Sequence, residues 1–266
     1  MMAEEKLFFR EELLNYDRLF GLIGYPLSHS FSKKYFLDKF QKEGTADRQY
    51  YELFPLEHIE DLPQLQDWYP QLTGLNVTIP YKQDVLAYLT DLDSEAEAVG
   101  AVNTIRIEGQ SWKGYNTDIY GFEHSLRQLL AGRERLPHRA LVLGTGGAAK
   151  AVLYVLRKLD IDIQLISRRP GSGVLTYAEL AERHLRDYPL IVNTTPLGMS
   201  PHPKTCPDLN YEQLSAEHLL YDLVYNPEKT LFLQKGEAAG AAIMNGLPML
   251  IGQAERAWSI WNAERW

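Results

Sequence analysis

The sequence contains a single cysteine, Cys206, among its 266 residues. One thiol can form neither an intrachain disulfide nor a cysteine-rich zinc cluster. Pro203 and Pro207 lie close to it, which is typical of a loop, and no motif partners it as a nucleophile. The sequence therefore predicts neither a disulfide framework nor a metal site.

Long apolar runs are also missing. The first residues are acidic, and their apolar run is the three residues 7–9, whereas a secretory signal needs a basic start and roughly 7–15 apolar residues. No window approaches the roughly 18–20 apolar residues of a membrane-spanning helix. We therefore expect a cytoplasmic protein without a membrane partner.

An excess of positive charge is the third feature that the sequence lacks. It has 27 basic and 35 acidic side chains, for a formal net charge of −8. This balance argues against nucleic acid or anionic lipid as a partner, because their phosphates attract clustered Lys and Arg. It does not exclude a small anionic ligand, which one local pair of cations can hold.

Strand-length apolar runs alternate with segments of helical period, which is typical of βαβ units. The predicted strands are 19–23, 50–54, 75–79, a hairpin of 102–107 with 111–115, then 140–143, 161–166, 190–193, 219–223 and 241–244. The predicted helices are 31–40, 119–130, 144–159 and 248–261. The sequence predicts an α/β fold of two lobes.

A glycine turn at the start of the second half is the clearest chemical signal. A predicted strand runs into Gly144-Thr145-Gly146-Gly147-Ala148-Ala149 and then into a helix. With Ala149 as the third small residue, this is the fingerprint of dinucleotide sites. Gly144 permits the tight turn, Gly146 lets the backbone approach a pyrophosphate, and the helix N-terminus faces the anion.

The next strand indicates which dinucleotide binds. It ends at Ser167-Arg168-Arg169, where a site for NAD would place an acidic side chain on the ribose 2′-hydroxyl. Two guanidinium groups suit the 2′-phosphate of NADP better. The alternative is a solvated arginine pair on a loop.

Four polar segments of the first half follow predicted strands or join them, at 24–30, 76–82, 100–104 and 114–118. Their hydroxyls, amides, one lysine and one aspartate suit a small polyhydroxylated or carboxylated substrate. With these motifs, Asn-Val-Thr-Ile-Pro-Tyr-Lys, Gly-Ala-Val-Asn-Thr and Asn-Thr-Asp, the chain resembles the shikimate dehydrogenases from about residue 19 to 261. The segments 193–199, 221–227 and 246–254 extend the resemblance.

The resemblance implies a fold, a reaction and a set of site residues. The fold is a substrate-binding lobe (1–117, completed by 246–266) and a Rossmann-like NADP-binding lobe (118–245), with the C-terminal helix returning to the first lobe. The reaction is the NADP-dependent, reversible reduction of 3-dehydroshikimate to shikimate in aromatic amino-acid biosynthesis. Shikimate would contact Ser28, Ser30, Thr78, Asn103, Asp118, Tyr225 and Gln253. NADP would contact Gly144, Thr145, Gly146, Gly147, Ala148, Ser167, Arg168, Arg169, Leu223 and Gly246.

Lys82 and Asp118 are the catalytic pair that the resemblance implies. A lysine ammonium can donate the proton that a developing alkoxide needs, and a nearby carboxylate would orient it. The alternatives are a solvated lysine at the start of a helix over 83–89 and an aspartate that only caps the helix after it.

Three departures from the family pattern accompany the resemblance. Lys33, Phe36 and Leu37 stand where proline and a His-Asn pair are common, so the start of the first helix and the pocket wall are expected to differ. The segment Ser-Arg-Arg replaces the commoner Asn-Arg-Thr. Residues 1–17 precede the usual first strand and have no functional assignment.

Two other functions stay open at this point. A relative could act on quinate, or on both acids, with NAD or NADP. A catalytically idle NADP-binding regulator is a different class, although such a protein would need neither Lys82 nor Asp118. The expected partner is a small-molecule substrate, and the expected assembly is a monomer or a homodimer.

Overall fold

The computed structural model describes residues 9–27 and 30–263. The strands in this part of the chain are β1 (Arg18–Gly24), β2 (Gln49–Pro55), β3 (Leu72–Val77), β4 (Asp91–Leu92), β5 (Thr104–Glu108), β6 (Ser111–Tyr115), β7 (Arg139–Leu143), β8 (Asp162–Ile166), β9 (Val174–Leu175), β10 (Leu190–Asn193), β11 (Leu219–Asp222) and β12 (Ala242–Met244). The α-helices are α1 (Phe31–Glu43), α2 (Leu62–Trp68), α3 (Ser94–Val99), α4 (Thr117–Leu129), α5 (Gly147–Lys158), α6 (Tyr177–Ala181), α7 (Leu231–Ala238) and α8 (Leu247–Trp261). In this part of the chain, every helix is too short or too polar to cross a bilayer.

The chain divides into two compact units. The first comprises 1–117 and 256–266, and the second comprises 118–255. The divisions therefore fall in the first turn of α4 and within α8. The sequence-based boundary at residue 246 marks the start of α8, ten residues before the division at 255/256.

The first unit is built on a mixed six-stranded sheet in the order β2-β1-β3-β5-β6-β4. Strand β1 pairs in parallel with β2 and β3, whereas β5 is antiparallel to both β3 and β6. The ends of β1, β3 and β6 and the start of β5 consequently meet at one edge of this sheet. That edge carries most of the polar segments of the first half.

An aromatic cluster joins the end of α8 to the first sheet. Phe20 of β1 stacks near Trp261, with ring centroids 4.9 Å apart, and Phe36 of α1 stacks on Tyr51 at 4.7 Å. Gly74 makes room for the indole, because a Cβ there would lie 2.2 Å from Trp261 Nε1. The predicted return of the C-terminal helix to the first lobe is confirmed.

The second unit is a fully parallel sheet in the order β12-β11-β10-β7-β8-β9. Counted from its own first strand, this is the 3-2-1-4-5-6 order of doubly wound dinucleotide-binding folds. Strands β7 and β10 are neighbours at the point where the order reverses. Ligands of such sheets bind outside the carboxyl ends of the strands at this point.

The predicted elements agree with the structure except at a few ends. The helix predicted over 144–159 begins only at Gly147, because Gly144 adopts φ +106° and keeps the turn out of the helix. The strand predicted over 75–79 is β3, which ends at Val77, where its partner β1 ends. The helix expected over 83–89 is a short 3₁₀ helix at Asp84–Tyr88.

Despite Lys33 and Phe36, the first helix starts where its apolar spacing predicts, because α1 begins at Phe31. Lys33 forms an ion pair with Glu52, and Phe36 is fully buried in the aromatic cluster. Arg10 also bonds to Glu52, at 2.5 Å, so the segment before β1 is tied to β2. Residues 1–8 lie outside the described residues.

Candidate functional site

The edge of the first sheet brings together Ser30, Thr78, Lys82 and Asn103. Thr78 follows β3, and its N–H donates to Ile23 O at 2.9 Å. Gly24 allows this approach, because a Cβ there would lie 2.5 Å from Thr78 Cγ2. The start of the turn after β1 therefore lies beside the turn after β3, and the N–H of Tyr25 donates to Ile79 O at 3.1 Å. Ser28 itself is outside the described residues.

Ser30 has an unusual environment for the residue that precedes a helix. It occupies the N-cap position of α1, but its side chain makes no capping bond. Its hydroxyl oxygen is buried and has no hydrogen-bond partner among the described residues. Because an unpaired buried hydroxyl is costly, Ser30 Oγ is a candidate ligand-binding group.

Lys82 lies in a turn that the neighbouring residue anchors. The hydroxyl of Tyr81 donates towards two carbonyl oxygens, of Leu56 at 2.8 Å and Glu57 at 2.7 Å. The carbonyl of Lys82 accepts from Val102 N at 2.7 Å. These bonds fix the backbone of Lys82 next to the segment that carries Asn103, and the lysine side chain is half-buried.

Thr117 and Thr104 hold the amide group of Asn103 in one orientation. The Oδ1 atom of Asn103 accepts from the N–H of Thr117 at 2.7 Å and from its hydroxyl at 3.1 Å. A third donor is Thr104 Oγ1 at 3.2 Å. Because a backbone N–H can only donate, these bonds identify the atom that faces Thr117 as the amide oxygen and assign the other position to the NH₂ group.

Three further residues of the implied substrate site belong to the second unit. Asp118 is buried in the first turn of α4, where the helix dipole favours a carboxylate. Tyr225 follows β11 and is 40% exposed, whereas Gln253 is half-buried on α8. Close packing of Gly121 on α4 against Gly252 on α8 fixes these two helices, with 3.2 Å between the Cα of Gly121 and a Cβ built at Gly252.

The glycine turn lies at the switch point of the second sheet. The N–H of Gly144 donates to Ile166 O at 2.8 Å, and a Cβ at Gly144 would meet Thr194 Oγ1 at 2.7 Å. At Gly146 and Gly147, by contrast, an added Cβ would have no atom of the described residues within 4 Å, apart from the adjoining backbone. Gly146 is the N-cap of α5 and offers no side chain to its amides. The turn is therefore tight on the protein side and open on the other, as a bound pyrophosphate requires.

The predicted cation pair lies at the end of β8. Arg168 and Arg169 are exposed, and neither guanidinium forms an ion pair with a residue that the structure describes. The N–H of Arg169 donates to Ser167 Oγ at 3.3 Å, and the N–H of Ser167 donates to Leu175 O at 2.9 Å. The backbone of the loop is thus held while both cationic ends are available to an anion.

Leu223 and Gly246 lie against each other at the ends of β11 and β12. A Cβ at Gly246 would lie 2.0 Å from the carbonyl oxygen of Leu223, so only glycine fits there. The N–H of Gly246 donates to Val224 O at 3.2 Å. The second unit thus places all its predicted cofactor residues at the carboxyl edge of its sheet, or at the turns that follow.

Sequence reasoning assigned no role to a buried polar network beneath these loops. Asn193, Asp222 and Thr230 are fully buried. Asp222 accepts from Asn193 Nδ2 at 2.9 Å, from Val224 N at 3.0 Å and from Thr230 Oγ1 at 2.5 Å. The available signal was a lone aspartate that ends an otherwise buried strand.

The fold and the site define a class of protein. The chain is a two-unit α/β protein whose second unit has the strand order, the switch-point turn and the exposed cations of a Rossmann-like dinucleotide-binding domain. Residues 22–105 of the first unit match the model of the shikimate dehydrogenase substrate-binding domain.

Comparison with whole proteins narrows the class to a family. A shikimate dehydrogenase (NADP+) of Clostridium beijerinckii is 40% identical over 258 residues, which cover 91% of each chain. The crystal structure of shikimate 5-dehydrogenase from Thermus thermophilus in complex with NADP(H) and shikimate matches with a TM-score of 0.76 at 32% identity, over 92% of this chain and 93% of that one. Quinate dehydrogenase from Corynebacterium glutamicum in complex with NAD matches with a TM-score of 0.83 at 26% identity, over 92% and 93%. The chain belongs to the shikimate dehydrogenase family.

Proposed function

We propose that this chain is an NADP-dependent oxidoreductase that reversibly reduces 3-dehydroshikimate to shikimate, a step of aromatic amino-acid biosynthesis. The observation that carries the proposal is the open glycine turn at the switch point of the second sheet, in a chain that matches shikimate dehydrogenases over almost its whole length. Domain roles follow from it: the first unit binds substrate and the second binds NADP.

Shikimate would be held by hydroxyl and amide donors of the first unit. Ser28 and Ser30 would bind its carboxylate, and the buried, unpaired hydroxyl of Ser30 supports this role. Thr78 and Asn103 would reach ring oxygens, and Asn103 would do so through its NH₂ group because its oxygen already accepts three bonds. Asp118, Tyr225 and Gln253, which belong to the second unit, are the other residues proposed to bind shikimate.

Lys82 and Asp118 would perform the proton transfer. When bound, NADP carries the hydride to or from the carbon that bears the reacting oxygen. In the reducing direction the Lys82 ammonium would donate a proton to the developing alkoxide, and in the reverse direction neutral lysine would accept it. Asp118 would be the second member of this catalytic pair.

The cofactor residues favour NADP. The amides of Gly144, Thr145, Gly146, Gly147 and Ala148 would face the pyrophosphate at the N-terminus of α5. Arg168 and Arg169, with Ser167, would hold the 2′-phosphate, which NAD lacks. Leu223 and Gly246 would line the other side of the cofactor. An acidic residue that would select NAD is missing at the end of β8.

Quinate is the second candidate substrate. The structural match to a quinate dehydrogenase with bound NAD is the observation that favours it. Quinate carries one ring hydroxyl more than shikimate, so the donors near Ser28, Thr78 and Tyr225 would decide between the two acids. The arginine pair favours NADP over NAD, and the similarity to shikimate dehydrogenases (NADP+) favours shikimate as the substrate.

The remaining partners follow from the same proposal. The enzyme would act in the cytoplasm on a small-molecule substrate, as a monomer or a homodimer. The acidic balance of the sequence supports a protein without a nucleic-acid partner.

A substitution at Lys82 tests the proposed chemistry. Lys82→Met keeps most of the side-chain volume and removes the proton donor. We expect kcat with shikimate and NADP to fall by about 10²–10⁴-fold, the usual contribution of general acid–base catalysis, while the Kd for NADPH stays unchanged. Lys113→Met, which changes another lysine of the first unit, is the control and should retain turnover. Full activity of Lys82→Met would remove Lys82 from the mechanism.

A further inference from the structure

Asp222 is a buried acid without a cationic partner. Its carboxylate accepts three hydrogen bonds, from Asn193, Val224 and Thr230, and it forms no ion pair with a described residue. Burial raises the pKa of Asp222 to about 6, and the three hydrogen bonds act against that rise. Buried acids whose ionisation is disfavoured by their surroundings are concentrated at functional sites.

The first arm of this network leads to the glycine turn. Because the ionised Asp222 carboxylate can only accept, it fixes the NH₂ group of Asn193 towards itself and leaves Asn193 Oδ1 for the next loop. That oxygen accepts from the N–H of Thr195 at 3.0 Å and from its hydroxyl at 2.6 Å. Thr194 then donates to Leu143 O at 2.7 Å, directly beside Gly144.

The second arm leads to the loop after β11. Asp222 Oδ1 accepts from Val224 N, and Val224 O accepts from the N–H of Gly246. Leu223 N also donates to Asn193 O at 3.0 Å. One carboxylate thus connects the chain segments after β10, β11 and β12.

The third arm explains why this residue is an acid and not an amide. Thr230 is fully buried, and its hydroxyl donates to Asp222 Oδ2 while its oxygen also accepts from Leu233 N at 3.4 Å. An asparagine at 222 would turn an NH₂ group towards a donor, either at Thr230 or at Asn193 and Val224. Only a carboxylate accepts from all three at once.

We propose that Asp222 is a positioning residue for NADP, which holds the loops after β10 and β11 in the shape that the cofactor binds before it arrives. This inference rests on the proposed function, because it assigns those loops to the cofactor side. Preorganised loops lower the cost of ordering on binding. Asp222 should therefore affect affinity for the cofactor and not the chemical step.

The test compares four variants of the full-length protein by titration with NADPH. Asp222→Asn should raise the Kd about tenfold, as expected for weakening a hydrogen bond to a charged group. Thr230→Val removes one donor with little change of volume and should raise the Kd about threefold. Thr230→Ser keeps the hydroxyl and should restore binding to within about twofold of the wild type.

Tyr221→Phe is the matched control. It removes a buried hydrogen bond, to Ser125 at 2.6 Å, from the neighbouring residue of the same strand. The Kd for NADPH should stay as in the wild type. At saturating NADP, kcat and the KM for shikimate should be unchanged in all four variants, a split that general loosening of the fold would not produce.

Three results would overturn the inference. Folded Asp222→Asn and Thr230→Val variants that bind NADPH as tightly as the wild type would remove the positioning role. A Tyr221→Phe variant that loses as much affinity as Asp222→Asn would reduce the effect to general destabilisation. A wild-type protein that does not bind NADPH would contradict the proposed function and this inference together.

Discussion

Arg168 and Arg169 carry the choice of cofactor at the scale of single residues. Both side chains are exposed, without an ion pair to a described residue, so their charges are available to a phosphate. Replacing both with alanine should raise the KM for NADP about 10–100-fold, because charge-assisted hydrogen bonds are worth about 1.5–3 kcal/mol. The KM for NAD should stay the same, since NAD lacks the 2′-phosphate.

Steady-state kinetics with both cofactors check this prediction. Arg183→Ala is the control, because Arg183 is an exposed arginine of the same unit, after α6. An equal rise in the KM for NADP and in the KM for NAD in the double variant would show that the arginines support the fold or bind a group that the two cofactors share.

In the proposed site, Thr117 would support substrate binding through Asn103. Two of the three bonds to Asn103 Oδ1 come from Thr117, one from its N–H and one from its hydroxyl. Thr117→Val keeps the first and removes the second, so the KM for shikimate should rise about threefold to tenfold, the equivalent of one ordinary hydrogen bond. Thr117→Ser should bind shikimate like the wild type.

Calorimetric titration with shikimate, in the presence of NADP, separates this role from an effect on the cofactor site. The Kd for NADPH should be the same in the valine and serine variants. If Thr117→Val binds shikimate normally, the backbone N–H and Thr104 alone suffice to orient the amide.

The parts of the site that the sequence predicted are formed by residues close together along the chain. The glycine turn and the arginine pair are local patterns, and the structure places them at the edge where such patterns function. The network at Asp222 joins residues 29 positions apart, Asn193 and Asp222, that become neighbours only because β10 pairs with β11. Strand order was not predicted, so these contacts could not be either.

The junction of β7 and α5 provides a prediction at the scale of elements. Gly146 has φ −77° and open space around a built Cβ, so alanine fits there without strain. Gly146→Ala should keep the melting temperature of the wild type and weaken NADP binding, because the methyl group would occupy the space of the pyrophosphate. Thermal melts and NADPH titration check both halves. Normal NADPH binding would contradict the assignment of this turn to the phosphates.

The strand β11 provides a prediction on pH. Burial raises the pKa of Asp222 to about 6 from an ordinary 3.8. As the pH rises, the unfolded state therefore loses this proton at a lower pH than the folded state does. The stability of the fold is therefore favoured below about pH 4 and falls as the pH rises to about 6 and beyond. The total change from this group is about 3 kcal/mol, and about half of it falls between pH 5 and pH 8.

Asp222→Asn removes this titration and supplies the comparison. Denaturant melts at pH 5 and pH 8 give the unfolding free energy of each protein. Relative to the wild type, the unfolding free energy of Asp222→Asn should be higher at pH 8 than at pH 5. A difference that is the same at both pH values would show that Asp222 does not titrate as the structure implies.

The elements themselves were largely predicted because their apolar patterns are strong. The glycine-opened helix, the hairpin and α8 were predicted within a few residues of their observed bounds. Short pieces such as β4, β9 and α6 were not predicted, because two to five residues carry no readable period. Their positions depend on pairing with neighbouring strands and on packing.

At the scale of the whole molecule, the chain consists of two α/β units, each with its own six-stranded sheet. The net charge of −8 describes the whole sequence, whereas the proposed function depends on two local groups of positive charge, the arginine pair after β8 and the lysine after β3. The resemblance in the motifs predicts that the first unit binds substrate and that the second binds NADP.

The proposed shikimate dehydrogenase activity is tested most directly by incubating the wild-type protein with shikimate and NADP and measuring the absorbance of the NADPH formed. Parallel reactions contain NAD in place of NADP or quinate in place of shikimate. We expect rapid turnover of shikimate with NADP and much slower turnover when NAD replaces NADP or quinate replaces shikimate. A preference for quinate with NAD would establish the second candidate function. No turnover of either acid with either cofactor would contradict the assignment of this chain as a dehydrogenase.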